Sequence, residues 1–167
     1  MFDVENAANY LNSMNKKFSF LHCVTIYPTP LEYMNLKRME YLRKFTDSVG
    51  LSEHSLVERD GVKASVAAIY LGADIIERHF TILPADSTKD GKVSIRLEHI
   101  KELIDFSNLS KQEQEQYISK NIPEFEILKG KEKRDLSGEE ILNRNYFRGR
   151  FCNKINNKQV FNWEYGL

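Results

Sequence analysis

Polar residues that can do chemistry stand two positions apart at the ends of three short apolar runs. The pairs are Thr25 and Tyr27, Ser52 and His54, and Glu77 and His79. In an extended strand, residues two positions apart lie on the same face of the sheet. Imidazole is a common ligand of divalent transition metals. If the runs are neighbouring parallel strands, the two histidines can converge on one ion.

A carboxylate in a loop would add a third group to such a site. Asp90 follows the third run and is the available residue, and Glu77 could accept a hydrogen bond that orients a ligand. Two imidazoles and a carboxylate leave positions open for water or substrate oxygens, as a catalytic metal requires. From spacing alone, metal ligation by His54 and His79 and a purely structural role remain equal alternatives.

Other reactive residue types have simpler interpretations. His22 falls on the opposite strand face from Thr25 and Tyr27, which predicts a packed, hydrogen-bonded core residue. Cys23 has no basic partner nearby in the sequence, which favours an unreactive thiol. Tyr27 itself is either a functional residue or an aromatic plug.

The three apolar runs alternate with segments of helical periodicity. The runs are residues 18–25, 49–52 and 74–80, and each is followed by apolar residues at helical spacing. Strands that alternate with helices predict right-handed βαβ units and a parallel sheet covered on both faces. The expected class is therefore α/β. Chemistry in such folds collects at the carboxyl ends of the strands, where the polar pairs stand.

The chain changes character after about residue 108. Residues 111–120 predict a solvated helix or linker, and residues 129–140 are a dense charged run typical of an exposed connector. The tail is aromatic and strand-like, with Tyr146 and Phe147 among its residues, and Asn156-Asn157 indicates a hairpin or the start of a small domain. The predicted organisation is residues 1–108, a linker over 109–136, and a segment over 137–167.

Composition excludes several classes of partner. Lys plus Arg and Asp plus Glu each number 24, so the zero net charge favours neither nucleic acid nor an anionic membrane surface. No apolar run approaches the ~20 residues of a membrane span, and the first ten residues lack the pattern of a signal peptide. Two distant cysteines predict reduced thiols rather than disulfides. The expected location is the cytoplasm.

Four strings occur in an order and spacing that resemble the sialic acid synthase family, which includes neuraminic, legionaminic and pseudaminic acid synthases. They are LHCVTIYPTP, GLSEHS, GADIIERHFT and KDGKVS. The resemblance runs from about residue 3 to residue 106. Residues 137–165 more weakly resemble the opening of the family's antifreeze-like domain, a SAF-type segment.

The resemblance implies a TIM barrel that condenses phosphoenolpyruvate with an N-acetylated amino sugar such as N-acetylmannosamine, releasing phosphate. His54 and His79 would be ligands of a divalent metal, expected to be Mn2+, with Mg2+ or Co2+ as alternatives. Ser52 would contact phosphoenolpyruvate oxygens, and Thr25 and Tyr27 would lie against the substrates. Asp90 would reach the metal-bound water or sugar hydroxyls, so Tyr27 and Asp90 are the expected catalytic residues.

Departures from the family pattern occur near the site. Thr25 stands where Asn or Ser is frequent, and Glu53 replaces a frequent Asp on the side expected to point away from the site. The loop before Asp90 lacks a usual Gly-Pro, so the placement of this carboxylate is open.

A closed barrel needs eight strands and ~250 residues, whereas three barrel strands are identified here, by resemblance the sixth to eighth. We expect part of a barrel with unpaired edges, followed by an incomplete antifreeze-like segment. One hypothesis is the metal-bearing part of a synthase, acting as a homodimer or with a complementing N-terminal barrel half. The alternatives are a catalytically incomplete fragment or assembly module, and a different metal-dependent aldolase or sugar isomerase.

Overall fold

Three parallel strands form the centre of the protein. The computed structural model describes residues 2–148 and 152–161. Its main sheet contains β1 (Phe20–Cys23), β2 (Val49–Glu53) and β3 (Ile75–Arg78), in the spatial order β1-β2-β3. Both pairings are parallel. The predicted α/β class and its three parallel strands are confirmed, and each outer strand is shorter than its apolar run.

Helices separate the strands and continue after the last one. They are α1 (Phe2–Ser13), α2 (Arg38–Leu42), α3 (Val57–Asp60), α4 (Lys63–Tyr70), α5 (Leu97–Ser107), α6 (Lys111–Asn121), α7 (Phe125–Lys129) and α8 (Gly138–Arg148). The helix expected after the first strand is limited to one short turn, α2, because the proline-rich loop and a 3-10 turn at Leu31–Tyr33 precede it. No helix in the described residues is long and apolar enough to span a membrane.

The core lies between the sheet and the helices that cover it. β2 is buried along its whole length, as expected of the central strand of a sheet with both faces covered. Fully buried side chains in this core include Leu36, Leu51, Val66 and Phe106.

The predicted linker also contributes to the core. Ser110 caps α6 by accepting from the Glu113 amide, and the Glu113 carboxylate accepts from the Ser110 amide in return. Ile118, Ile122 and Leu128 are buried in the main hydrophobic cluster. Polar composition therefore concealed two packed helices, and the domain boundaries at residues 108 and 136 stay predictions.

In the described part of the tail, a helix is followed by a hairpin. The strand-like interpretation of Tyr146 and Phe147 was wrong, because both belong to α8. Ser137 and Glu140 exchange the two hydrogen bonds that begin this helix, which specify it locally. Strands β4 (Cys152–Ile155) and β5 (Lys158–Phe161) then pair antiparallel.

The hairpin confirms the role expected for Asn156-Asn157. These two asparagines have φ of 50° and 63°, and asparagine tolerates the left-handed conformation that two-residue hairpin turns need. The antifreeze-like assignment of residues 137–167 stays a prediction, and residues 149–151 and 162–167 lie outside the described part.

Gly50 is required by the close packing of the sheet, which gives a test of the fold. A Cβ at Gly50 would overlap the Ile75 carbonyl oxygen and lie 2.7 Å from Leu21 Cδ2. We expect Gly50→Ala to lower the free energy of unfolding by about 1–3 kcal/mol, the usual cost of overpacking. Gly138→Ala is the matched control, since nothing lies within 4 Å of its added methyl group. Urea unfolding of both variants measures the difference, and equal stabilities would contradict this packing.

Candidate functional site

The register of the sheet brings the predicted polar pairs to one edge. Cys23 pairs with Ser52, and Ser52 pairs with Glu77, so these three side chains form one level across the sheet. His54 and His79 follow two residues later, directly after the last residues of β2 and β3. Their ring centroids are 5.2 Å apart. The predicted convergence of the two histidines is therefore present in the structure.

Tyr27 joins the histidine pair directly. Its hydroxyl lies 2.8 Å from His54 Nε2, and its ring centroid is 4.1 Å from that of His54 and 6.3 Å from that of His79. Partial burial raises the pKa of Tyr27 to about 12, and the proximity of Cys23 and Asp90 contributes to the rise. The Tyr27 hydroxyl therefore keeps its proton at neutral pH and can donate to His54.

Hydrogen bonds of Thr29 fix the loop that carries Tyr27. This buried threonine donates through Oγ1 to the Ile26 carbonyl at 2.5 Å, and its amide donates to the His54 carbonyl at 2.8 Å. The two prolines on either side of Thr29 prevent regular structure here, so side-chain and cross-strand bonds hold the turn. Tyr27 is thereby tied to the strand end of its histidine partner.

His54 is held as a neutral imidazole. It is 3% exposed. Burial, and after it the proximity of His79, lowers the pKa of His54 to about 4. Cys23 Sγ lies 3.9 Å from His54 Nδ1, and burial raises the pKa of this thiol, so both groups are uncharged at neutral pH. A neutral imidazole has a single lone pair, so a metal ion bound through Nε2 would take the place of the Tyr27 hydroxyl there.

Asp90 lies beside the second histidine. Its Oδ2 is 3.9 Å from His79 Nδ1, and both side chains remain accessible. Asp90 comes just before a 3-10 turn at Gly91–Val93, whose Ser94 hydroxyl donates to the Asp90 carbonyl. The loop therefore reaches the site despite lacking the usual Gly-Pro.

Ser52 and Glu77 form a pair that sequence spacing alone did not reveal. The Ser52 hydroxyl donates to Glu77 Oε1 at 2.9 Å. Glu77 thus holds the serine rather than a histidine, which differs from the orienting role expected for it. The Ser52 proton already has an acceptor, and an incoming anion would have to compete with Glu77 for it.

Thr25 is contacted from a distant part of the chain. Its carbonyl accepts a hydrogen bond from the Asn143 side chain of α8, and the next residue, Arg144, donates twice to Asp3 of α1. Sequence reasoning missed Asn143 because no local pattern connects residues 118 positions apart. Thr25 lies at the same edge as the histidines, so α8 borders the site.

The donor set fits a divalent ion with open positions. Two imidazoles and a nearby carboxylate are ligand types that Mn2+, Co2+ and related ions accept. Across residues 2–148 and 152–161, no three His, Cys, Asp or Glu side chains are grouped closely enough to hold a metal by themselves. Further ligands would have to be water or substrate oxygens.

His22 has the structural role expected from its strand face. It is buried, and its Nε2 donates to the Met34 carbonyl at 2.6 Å. Burial lowers the pKa of His22 to about 4, which keeps the ring neutral. His22 is thus a structural residue and not part of the site.

The sequence also matches a known protein family. The family model described as the NeuB family matches residues 1–118. The chain belongs to the NeuB family. The predicted resemblance is confirmed, since this family includes the synthases that the four strings indicated.

Relatives of this NeuB-family protein are considerably longer than the matched segment. The chain is 32% identical over 152 residues to a pseudaminic acid synthase of Campylobacter jejuni, covering 90% of this chain and 39% of the relative. It is 37% identical over 105 residues to an N,N'-diacetyllegionaminic acid synthase of the same species, covering 60% of this chain and 30% of the relative. The chain thus spans less than two fifths of the length of these relatives.

A solved structure supports the fold. The spore coat polysaccharide biosynthesis protein SpsE of Bacillus subtilis superposes with a TM-score of 0.67 at 28% identity. The match covers 91% of this chain and 40% of that protein. The three-stranded α/β unit is therefore an arrangement that also occurs within a larger NeuB-like structure.

The neutral burial of His22 predicts a specific pH dependence of stability. Its folded-state pKa is below the unfolded value, so its contribution is fully present above about pH 6.5 and is lost as pH falls toward 4. We expect His22→Gln, which keeps a donor for the Met34 carbonyl, to remove this dependence. The difference in unfolding free energy between protein and variant should change by about 3 kcal/mol between pH 7 and pH 4. Parallel pH profiles of urea unfolding would contradict the assignment.

Proposed function

We propose that this protein forms the metal-bearing part of a nonulosonic acid synthase of the sialic acid type, a transferase of carbohydrate biosynthesis in the cytoplasm. The reaction would join phosphoenolpyruvate to an N-acetylated amino sugar such as N-acetylmannosamine. The observation that carries the proposal is the convergence of His54, His79 and Tyr27 at the carboxyl edge of the sheet in a NeuB-family chain. The three strands would be the sixth to eighth of a TIM barrel.

His54 and His79 are the residues that would hold the divalent ion, with Mn2+ as the favoured metal and Mg2+ or Co2+ as alternatives. When bound, the ion would polarise the sugar aldehyde and stabilise the negative charge that develops on its oxygen. The depressed pKa of His54 supports this role, because the ring needs no deprotonation at neutral pH. Asp90 lies close enough to His79 to accept from a water or a sugar hydroxyl there.

The remaining residues would bind and orient the substrates. Tyr27 keeps its hydroxyl proton and would donate to the sugar when the metal takes the His54 lone pair. Ser52 would contact phosphoenolpyruvate oxygens once its hydroxyl turns from Glu77 toward them. Thr25 would line the same wall, with its carbonyl held by Asn143.

The overall chemistry balances with water as the third reactant. Carbon 3 of phosphoenolpyruvate forms the new bond to the aldehyde carbon, water adds at carbon 2, and phosphate leaves by cleavage of the C–O bond. By the family resemblance, the cationic side chains that hold the phosphate lie on the earlier strands of the barrel. We therefore assign that task to the part of the barrel beyond these three strands.

An apolar cleft beside β3 supports the need for further barrel elements. It is lined by Ile76, Phe80, Ile100, Leu103 and Ile104. Phe80 and Ile104 are 50% and 54% exposed, and β3 pairs with a strand on one side only in the described residues. Large exposed apolar surfaces indicate interaction sites. A complementing barrel part, in a homodimer or a two-part enzyme, would cover this cleft.

Metal binding gives the most direct test. We expect the protein to bind Mn2+, and His54→Gln and His79→Gln each to weaken binding more than the ~10–100-fold that follows loss of a partner outside the ligand set. The EPR signal of free Mn2+ measures the affinity. His22→Gln is the matched control because this histidine is buried away from the site. Equal affinity in all four proteins would refute the metal site.

Isotope tracing tests the reaction itself. Phosphoenolpyruvate labelled with 18O at its bridging oxygen is incubated with candidate amino sugars and the protein, with and without a polypeptide carrying the remaining barrel strands. We expect condensation only in the combined mixture, with the label recovered in inorganic phosphate because the reaction cleaves the bond between carbon 2 and the bridging oxygen.

The position of the label distinguishes C–O cleavage from P–O cleavage. Cleavage between carbon 2 and the bridging oxygen transfers the 18O to inorganic phosphate, and this is the outcome that our scheme requires; label left in the sugar acid would contradict it. Sugar isomerisation without phosphate release would favour an isomerase. Absence of reaction in every mixture would favour a non-catalytic assembly module.

A further inference from the structure

Arg78 occupies an unusual place behind the candidate metal site. It is the last residue of β3 and directly precedes His79, so its side chain points to the opposite face of the sheet from the imidazole. That side chain is only 2% exposed. Burying a guanidinium is costly unless partners compensate for the lost water. The role of Arg78 can therefore be inferred from the groups that its side chain contacts.

The contacts of Arg78 lead to each of the three candidate ligands. Its guanidinium forms an ion pair with the carboxylate of Glu53, the residue directly before His54. Its Nη2 donates to the Val93 carbonyl at 3.3 Å, in the turn that follows Asp90. Glu53 and Arg78 are also register partners in the sheet. One side chain thus joins β2, β3 and the Asp90 loop.

Glu53 is fixed just as firmly as its partner. It is fully buried, and its two carboxylate oxygens accept from the hydroxyls of Ser55 and Ser65. Ser65 belongs to α4, so the carboxylate also connects the sheet to the helix layer. The strand end that carries His54 is therefore anchored on both sides of the histidine.

Net stability does not account for this ion pair. Arg78 Nε has no hydrogen-bond acceptor among the described residues, and Nη1 lies against Glu53 without the geometry of a hydrogen bond. Removing two charges from water offsets most of their attraction, so a buried pair is weak evidence for stability. A role in fixing the relative positions of the elements explains the burial better.

We propose that Arg78, together with Glu53, is a positioning residue that sets the distance between His54, His79 and Asp90 from behind the sheet. The proposal rests on the proposed function, because it assumes that these histidines hold a metal. Ligand geometry must be kept within a few tenths of an ångström for tight binding. A shift of β2 against β3 would separate the two rings directly.

The test removes the ion pair without leaving a buried charge. The double variant Glu53→Leu/Arg78→Met replaces both groups by apolar side chains of similar size, an exchange that preserves folding in other proteins. We expect its Mn2+ dissociation constant, measured by EPR, to rise about 10–100-fold. Lys63→Met/Glu124→Leu is the matched control, since this ion pair joins α4 to the residue before α7. Its affinity should equal that of the unaltered protein.

A second variant keeps the proposal testable if the double variant does not fold. Arg78→Lys retains the charge opposite Glu53 but cannot reach both this carboxylate and the Val93 carbonyl, so we expect weaker Mn2+ binding with unfolding still cooperative. Unchanged affinity in either folded variant would overturn the positioning role. If the unaltered protein itself binds no Mn2+, the proposed metal site fails, and the role of Arg78 fails with it.

Discussion

Parallel pairing in one fixed register is the constraint on which the rest of this structure depends. Because Cys23, Ser52 and Glu77 lie level with one another, the residues two positions further along also lie level. A shift of one strand by a single residue would move the side chains that point toward the site to the opposite face of the sheet. The closeness of His54 and His79 is therefore a property of the sheet and not of either histidine alone.

Burial at the strand ends then decides the chemical state of the groups brought together. Burial lowers the pKa of His54 and raises the pKa values of Tyr27 and Cys23, because it removes each charged form from water. His54 therefore stays unprotonated, and Tyr27 and Cys23 keep their protons. These three groups are therefore neutral donors and acceptors at neutral pH. The His54 ring can therefore accept a cation without first losing a proton, as the proposed metal site requires.

The sequence predicts the repeating local features well. Apolar runs marked all three strands, and the spacing of Ser52, His54, Glu77 and His79 correctly indicated one shared edge. It failed where partners are remote: nothing near Glu77 in the sequence shows that Ser52 donates to it, and nothing near Thr25 indicates Asn143. The polar composition of residues 111–120 also concealed a buried Ile118, because one apolar residue per few turns gives little periodic signal.

The bond between Asn143 and Thr25 has a consequence for the order in which the molecule is built. It closes a loop of 118 residues, and the neighbouring contact between Arg144 and Asp3 spans 141. Contacts so distant in sequence form late, because a long loop must be ordered before they stabilise anything. During synthesis, Asn143 can reach Thr25 only after α8 has left the ribosome, by which time all three strands of the sheet have emerged.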